Sequence, residues 1–301
     1  GVQPPDGNGS LGITMAADNP NNPYGNLIVM NYRPTALGPR DNTTKEQINQ
    51  YLFGVKGFLD WQGFSDWEVG LNYNSYTQRD IGSNYGLVRE LQAAVDAGRF
   101  NPFDPVDGSE DEFRHTTSLD NAFTSKGLDA KINYELAFDE FVVPFVFGFE
   151  YRNDDFQTIS DAESAQSVTF GPSGEIVGFN QSNVFGSGGG DARGSRSYKA
   201  AFAESMVQLF DSKLELGAAL RYDNYSDVGS KVSPKLSLGF RPLDSLLARA
   251  SWSKGFRAPD LTALYGSPAK SAEPTIDVRA CDASGGADVS ACTTEQRTVV
   301  F

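Results

Sequence analysis

The sequence predicts an all-β protein, a segment of an antiparallel transmembrane β-barrel with about eight long strands. Three observations support this fold class. Apolar and polar residues alternate with a period of two along many segments, the connections are short at one end and mostly long at the other, and aromatic residues concentrate near both ends. A soluble β-sandwich has less reason to keep this sidedness over so many hairpins, so we expect the dry side of the strands to face lipid.

The alternation is clearest in six segments, in which polar residues stand between the apolar ones. Two further segments, near residues 45–57 and 195–210, are strand-like but less regular. In chain order the apolar rows are Trp67, Val69, Leu71 and Tyr73; Leu128, Ala130, Ile132, Tyr134, Leu136 and Phe138; Phe141, Val143, Phe145, Phe147, Phe149 and Tyr151; Leu214, Leu216, Ala218, Leu220 and Tyr222; Val232, Leu236, Leu238 and Phe240; and Leu246, Ala248, Ala250, Trp252 and Phe256.

The connections divide into two sets, as they do in outer-membrane barrels with short periplasmic turns and long extracellular loops. A strand over residues 213–226 would extend roughly 45 Å at about 3.3 Å per residue and rise roughly 30 Å when tilted by about 45°, enough to cross an apolar band of about 25 Å. The short connections are 58–64, 139–140, 211–212 and 242–244, and the long ones are 79–120, 157–194 and 258–301, with the tight 227–229 as the exception.

Aromatic residues near the strand ends suit the two lipid–water interfaces. The row at the long-loop end is Tyr73, Tyr76, Tyr151, Phe156, Tyr222, Tyr225, Trp252 and Phe256, and the row at the other end is Trp61, Phe64, Trp67, Phe138, Phe141, Phe210 and Phe240. Inside the first long loop, Leu87, Leu91 and Val95 follow helical spacing, and Gly98 is a suitable C-cap. We expect a helix that packs within this loop.

Composition excludes some classes of protein. The 301 residues carry 25 basic and 39 acidic side chains, a net charge of −14, with no cluster of Lys and Arg, so nucleic acid is not an expected partner. No apolar run approaches the roughly 18 residues of a membrane helix. Cys281 and Cys292 lie in a loop-like stretch, and a disulfide formed in an oxidising compartment is the favoured interpretation. A metal or redox pair is the alternative, without a histidine or CxxC motif to support it.

No catalytic site, metal site or cofactor is expected. His115 is the single histidine, and no Ser–His–acid arrangement accompanies it. The acidic segment DGSEDE, residues 107–112, does not have the spacing of an EF-hand loop, so a solvated loop is favoured over a Ca²⁺ site. Polar residues on the wet side of the strands are the candidates for contact with a ligand or an internal domain, although lining a wet interior explains their polarity equally well. These candidates are Asn72, Asn74, Arg221, Asp223, Arg249 and Arg257.

One stretch, LRYDNYSDVGSKVSPKLSLGFRPLDSLLARASWSKGFRAPDLTALYG (220–266), holds an ordered set of motifs. An RYD-x-YS-D-x-GS strand and tight loop precede a Pro-Lys pair, and a later strand ends in G-F-R-A-P with an L-Y pair downstream. This order closely resembles the barrel of TonB-dependent outer-membrane receptors. Further segments that resemble the family, in matching order, are NPNNPYG (19–25), GVKG (54–57), WEVGLNYN (67–74), AAVDAGRFNPFDP (93–105) and FVFGFEYRNDDF (145–156).

The resemblance covers most of the chain and implies a location in the outer membrane. It implies that residues 1–301 are a partial β-barrel domain of a roughly 22-stranded barrel, with the plug domain and the terminal strands absent. The implied partners are the lipid bilayer and lipopolysaccharide, the TonB complex through a missing N-terminal segment, and a small-molecule or oligosaccharide ligand. The implied function is energised uptake of a scarce nutrient: siderophore, haem, cobalamin or oligosaccharide. A passive porin and a soluble carbohydrate-binding or adhesive β protein remain as alternatives.

Overall fold

The computed structural model describes residues 11–106, 108–139, 141–173, 176–243, 245–266, 270–275 and 295–300. The strands of the first half are β1 (Leu11–Met15), β2 (Ile28–Tyr32), β3 (Asp41–Trp61), β4 (Phe64–Gly86), β5 (Arg114–Ala137), β6 (Val142–Ser160), β7 (Ala165–Phe170) and β8 (Ile176–Asn180). Those of the second half are β9 (Gly189–Gly190), β10 (Ala192–Leu209), β11 (Leu214–Tyr225), β12 (Gly229–Leu243), β13 (Leu246–Ser253), β14 (Lys270–Thr275) and β15 (Glu295–Val300). The α-helices are α1 (Val88–Asp96) and α2 (Leu261–Tyr265), and two 3-10 helices span Thr35–Leu37 and Ser109–Phe113.

Eight long strands form one antiparallel sheet in the order β13-β12-β11-β10-β6-β5-β4-β3. This confirms the predicted fold class: each strand pairs with the next long strand along the chain, as in a barrel wall. The small strands β7, β8 and β9 lie within the connection from β6 to β10 and form a separate three-stranded sheet. No helix in the described ranges is long and apolar enough to cross a membrane.

The register gives the sheet one apolar face across all eight strands. Leu71 lies opposite Leu128, which lies opposite Tyr151, and Leu220 lies opposite Pro234. We call this side, which carries Leu71, Leu128, Phe149, Leu220, Leu236 and Ala250, the apolar face. Within the chain its large side chains are unpacked: Leu71 is 51% exposed and Leu236 is 56% exposed. A soluble protein would bury such a surface, so this face is the one that lipid covers.

Strands β3 to β6 are longer than the sequence predicted, at 21, 23, 24 and 19 residues. The ladder continues through residues 79–86 and 114–120, so the first two long loops shrink to 87–113 and 161–191. On β5 the apolar stretch 128–136 covers roughly 30 Å of strand, or about 20 Å of height at a 45° tilt, close to the apolar band of about 25 Å. The ends of these strands beyond the apolar band carry polar residues on both faces, because both faces contact water. The alternation of apolar and polar residues is therefore absent from these ends in the sequence.

The aromatic row at the long-loop end also needs correction. Tyr73 and Tyr151 do lie on the apolar face, and Tyr51 of β3 packs against Tyr73 with ring centroids 6.0 Å apart. Tyr76 and Phe156 instead lie opposite Phe123, on the other side of the sheet. Successive strand residues point to opposite faces, so only half of the predicted row can form an interface with lipid.

The short turns lie near the positions that the sequence predicted, and they differ from one another in backbone conformation. Gln62 and Gly63 connect β3 to β4 with φ of 49° and 90°. Between β10 and β11 three consecutive residues, Phe210, Asp211 and Ser212, have φ of 55°, 54° and 63°. After the tight turn at 226–228, β12 begins at Gly229 with φ 75°, a left-handed conformation that glycine adopts without steric cost.

A small hydrophobic core lies at the long-loop end of the sheet. Helix α1 confirms the predicted loop helix, and Gly98 follows it in a left-handed conformation with φ 69°. The helix packs with β1 and the second 3-10 helix, and β2 packs against the same core. We call this assembly, residues 11–37, 87–106 and 108–113, the loop layer. Its large apolar side chains that are fully buried are Ile13, Met15, Leu91, Val95, Phe100 and Phe113.

Cys281 and Cys292 lie outside the described residues, and their pairing stays a prediction.

Candidate functional site

The side of the sheet opposite the apolar face carries all of the predicted polar residues except Arg257, which follows β13. Arg221 lies opposite Phe202, and Asp223 lies opposite Ala200. Phe202 in turn lies opposite Gly148, where any Cβ would collide with its ring. We call this side, with Asn72, Asn74, Glu150, Arg152, Tyr198, Phe202, Arg221 and Asp223, the polar face.

Arg221 is the centre of a charged network on the polar face. Its Nη1 and Nη2 donate to the two carboxylate oxygens of Glu150 at 3.1 and 2.7 Å, and its Nε donates to Asp223 Oδ1 at 2.9 Å. The guanidinium carbon also lies 5.9 Å from the centre of the Phe202 ring. A two-pronged Arg–carboxylate pair fixes orientation as well as charge. The network therefore holds three strands, β6, β10 and β11, in one arrangement.

A groove of about 290 Å³ runs beside this network, lined by Asn72, Glu150, Arg152, Tyr198 and Phe202 among others. The Arg152 guanidinium carbon lies 5.5 Å from the centre of the Tyr198 ring. Asn72 Oδ1 is buried and has no hydrogen-bond partner within the described ranges. The groove thus presents a cation and an aromatic ring to the wet side of the sheet.

The structure brings only some of the predicted residues together. Arg221 and Asp223 bond to each other, and Asn72 borders the neighbouring groove. Asn74 lies on the polar face opposite Gln50 and Ser125. Arg249 lies on exposed β13, opposite Gly239. Arg257 follows β13 and is exposed, with its Nη2 3.5 Å from Asp260. The two arginines near the end of the motif therefore lie apart from the Arg221 network.

A second ion pair was not predicted. Arg196 Nε donates to both carboxylate oxygens of Asp227, at 3.0 and 2.8 Å, and both side chains are 9% exposed. The Arg196 guanidinium carbon also lies 5.6 Å from the centre of the Tyr225 ring. Arg196 follows a glycine-rich run (186–194) without a motif of its own, so only Asp227, in the tight turn, could have been noticed.

The two long connections bind each other through Asn183. Its backbone carbonyl accepts from Val88 N–H at 2.8 Å, and its side-chain oxygen accepts from Arg89 N–H at 2.9 Å. These are first-turn donors of α1, whose own N-cap residue provides no side-chain bond. The Asn183 amide also donates to Glu90 at 2.7 Å and to Glu163 at 2.6 Å. Asn183 thus caps the helix of one loop from the other.

His115 and Asp161 form the base of the second connection. His115 Nε2 lies 2.9 Å from Asp161 Oδ1, and Asp161 also accepts backbone N–H bonds from Ser118 and Ser164. Burial raises the pKa of Asp161, but these hydrogen bonds outweigh it and leave the pKa below its ordinary value. His115 therefore has a structural partner, Asp161, at the junction of a loop and a strand.

The acidic segment is less solvated than expected. Glu110 is fully buried and accepts a hydrogen bond from the Tyr32 hydroxyl, and burial raises the pKa of Tyr32. Glu112 pairs with Arg99 at 2.6 Å, and Asp111 pairs with Arg114 at 2.6 Å. Across the described ranges no group of three or more His, Cys, Asp or Glu side chains is arranged to hold a metal ion.

Comparison with known proteins agrees with this geometry. The model of the TonB dependent receptor-like β-barrel family matches residues 2–290. Two similar solved structures are a mutant of the ferric enterobactin receptor PfeA from Pseudomonas aeruginosa (20% identity, TM-score 0.46, 76% of this chain and 28% of that chain) and PfeA in complex with BCV-L6 (17% identity, TM-score 0.41, 72% and 26%).

This chain therefore spans little more than a quarter of those receptors. No curated protein matches it. The family consists of outer-membrane receptors rather than enzymes. Because the family model matches nearly the whole chain, the protein belongs to the TonB-dependent receptors, within their β-barrel.

Proposed function

We propose that this chain is one stretch of the wall and loop layer of an active transporter, which binds and imports a scarce nutrient with energy transmitted by TonB. The observation that carries the proposal is the pair of faces on one sheet. A continuous apolar face suits lipid, while the opposite face holds the Arg221 network and the groove beside it. A wall of this kind separates lipid from a polar interior through which a nutrient can pass.

The proposal includes parts outside this chain. In the described ranges β3 and β13 end the eight-stranded sheet, and an unpaired strand edge within lipid leaves backbone groups unsatisfied. Further strands must therefore pair with both edges. We propose that these strands belong to a barrel of roughly 22 strands, that a plug domain fills it, and that an N-terminal segment contacts the TonB complex.

The nutrient belongs to one of the classes taken up by the family: siderophore, haem, cobalamin or oligosaccharide. The polar-face candidates Asn72, Asn74, Arg221, Asp223, Arg249 and Arg257 remain proposed contacts with ligand or plug.

Uptake in cells tests the proposal. A strain that lacks the full-length receptor is grown with each nutrient class in turn as the limiting nutrient. It should fail to grow with one of these classes, and that class identifies the substrate. Restored uptake should then disappear when TonB is deleted and when a protonophore collapses the inner-membrane potential. Uptake that persists without TonB would favour the passive porin, and a protein that stays soluble without detergent would favour the carbohydrate-binding alternative.

A further inference from the structure

The segment after β13 folds back onto the polar face. We call residues 257–266, which include the A-P and L-Y pairs of the motif, the strap. Helix α2 of the strap packs against β10, and Gly266 forms a β-bridge with Ala192. The Tyr265 ring lies over Gly194, where an added Cβ would come within 2.5 Å of Tyr265 Cδ2 and 2.7 Å of Phe156 Cε1. Only a glycine at position 194 lets the strap lie this close.

The strap borders a cavity of about 410 Å³ on the polar face. Strands β4, β5, β6 and β10 supply the floor, and the strap supplies Asp260, Leu261 and Thr262. This space is separate from the groove beside the Arg221 network, which none of the strap residues borders. The floor residues with polar or aromatic side chains include Tyr76, Asn121, Phe123, Asp154, Phe156, Thr158 and Arg196.

Two side chains of this floor each have one buried polar atom without a hydrogen-bond partner in the described residues. Arg196 and Asp154 lie directly opposite each other in the register of β10 and β6. Arg196 Nη2 and Asp154 Oδ1 are both buried, and neither has a partner in the part of the chain that the structure describes. Arg196 as a whole is only 8% exposed. Buried polar atoms are normally hydrogen-bonded, so these two opposite residues leave one donor and one acceptor for a partner that the described residues do not supply.

The charges around the cavity argue against an anionic ligand. Arg196 already shares its Nε with Asp227, and Arg257 lies near Asp260. With Asp154 included, carboxylates outnumber guanidinium groups, so the field in the cavity is weakly negative.

We propose that the strap closes a ligand subsite in this cavity, and that the subsite takes an uncharged group with a hydrogen-bond donor beside an acceptor, such as an amide. Its carbonyl accepts from Arg196 Nη2 while its N–H donates to Asp154 Oδ1. This inference rests on the proposed transport function and describes the chemistry of one part of the transported ligand.

Cysteine labelling in outer membranes that contain the full-length receptor tests the strap. A Thr158→Cys variant places a thiol in the cavity, and the unmutated receptor gives the background from Cys281 and Cys292. Adding Gly194→Leu to the Thr158→Cys variant should displace Tyr265. Labelling of the thiol by a neutral methanethiosulfonate should then be roughly tenfold faster, because the rate follows the fraction of receptors in which the strap is displaced from the cavity. Tyr265→Ala removes the same contact from the other side and should act alike.

Gly255→Leu is the matched control, because an added side chain there meets nothing within 4 Å. It should leave the labelling rate at position 158 unchanged. Equal rates with and without the Gly194 and Tyr265 substitutions would overturn the closure by the strap.

Protection by small probes tests the ligand chemistry. Acetamide, which carries a donor beside an acceptor, should slow labelling of Thr158→Cys in the receptor with its native strap, while acetate, of equal size but anionic, should not. The protection should disappear in the Arg196→Met variant. Protection by acetate, or by neither probe, would overturn the subsite. Labelling needs neither TonB nor transport, so these outcomes are separate from failure of the uptake experiment.

Discussion

Ala218 provides a quantitative test of the apolar face. It lies opposite Ser205 and Leu236 on that face, four positions after Leu214, where β11 begins. At about 3.3 Å per residue and a 45° tilt it rises roughly 9 Å above that end, close to the middle of an apolar band of about 25 Å. An arginine near the bilayer midplane costs about 2–4 kcal/mol, so Ala218→Arg should shift the folding equilibrium by about 30- to 900-fold.

Ala219→Arg is the matched control on the polar face. Ala219 lies between Glu204 and Lys235 in the register, so the added cation has one carboxylate and one cation as neighbours and remains wet. We expect a change in the free energy of unfolding within about 1 kcal/mol. The measurement is urea unfolding of the full-length receptor in lipid vesicles, followed by tryptophan fluorescence. Equal losses of stability at the two positions would refute the assignment of faces.

Three further predictions concern the polar face and the loops. Arg221→Met should lower the thermal midpoint of the receptor, since it leaves two carboxylates without their partner; an unchanged midpoint in differential scanning calorimetry would contradict this. Asn183→Ala should increase hydrogen exchange in the first turn of α1 by roughly tenfold, while Asn22→Ala, in an exposed turn, should not. Hydrogen bonding from Asn183 lowers the pKa of Glu163, and the pKa of Asp161 is also lowered. A depressed folded-state pKa gives stability that is present above the ordinary carboxyl range near 4 and is lost as pH falls through the folded value. The protection factors of residues 161–191, corrected for the intrinsic exchange rate at each pH, should therefore fall below about pH 4 and stay constant from pH 6 to 8.

Much of the sheet could be predicted from the sequence, because the period of two persists wherever one side of a strand touches lipid and the other touches water. Leu128 and Leu220 were assigned to the correct face for this reason. The upper ends of β4 and β5 were missed because both of their sides are wet. Tyr76 and Phe156 were grouped with the lipid interface because they lie near the strand ends. Each stands an odd number of residues from Tyr73 or Tyr151 on its own strand, so it points to the opposite face.

The candidate site was predicted only in part, for a reason of register. Arg221 and Asp223 stand two residues apart on one strand, so their contact is local and visible in the sequence. Glu150 belongs to β6, and its approach to Arg221 depends on how three strands align. The contact between Arg196 and Asp227 likewise depends on how β10 aligns with the turn that follows β11. Neither contact has a local signal in the sequence.

The most direct test of the account is the position of each end of the sheet relative to the membrane. Val106, an exposed residue of the loop layer, and Ser212, in the short turn between β10 and β11, lie at opposite ends. Each is changed to cysteine in the full-length receptor, and intact cells are treated with a maleimide that cannot cross the outer membrane. We predict that Val106→Cys is labelled in intact cells and that Ser212→Cys is labelled only after the outer membrane is permeabilised. Labelling of Ser212→Cys in intact cells, with or without Val106→Cys, would contradict the account.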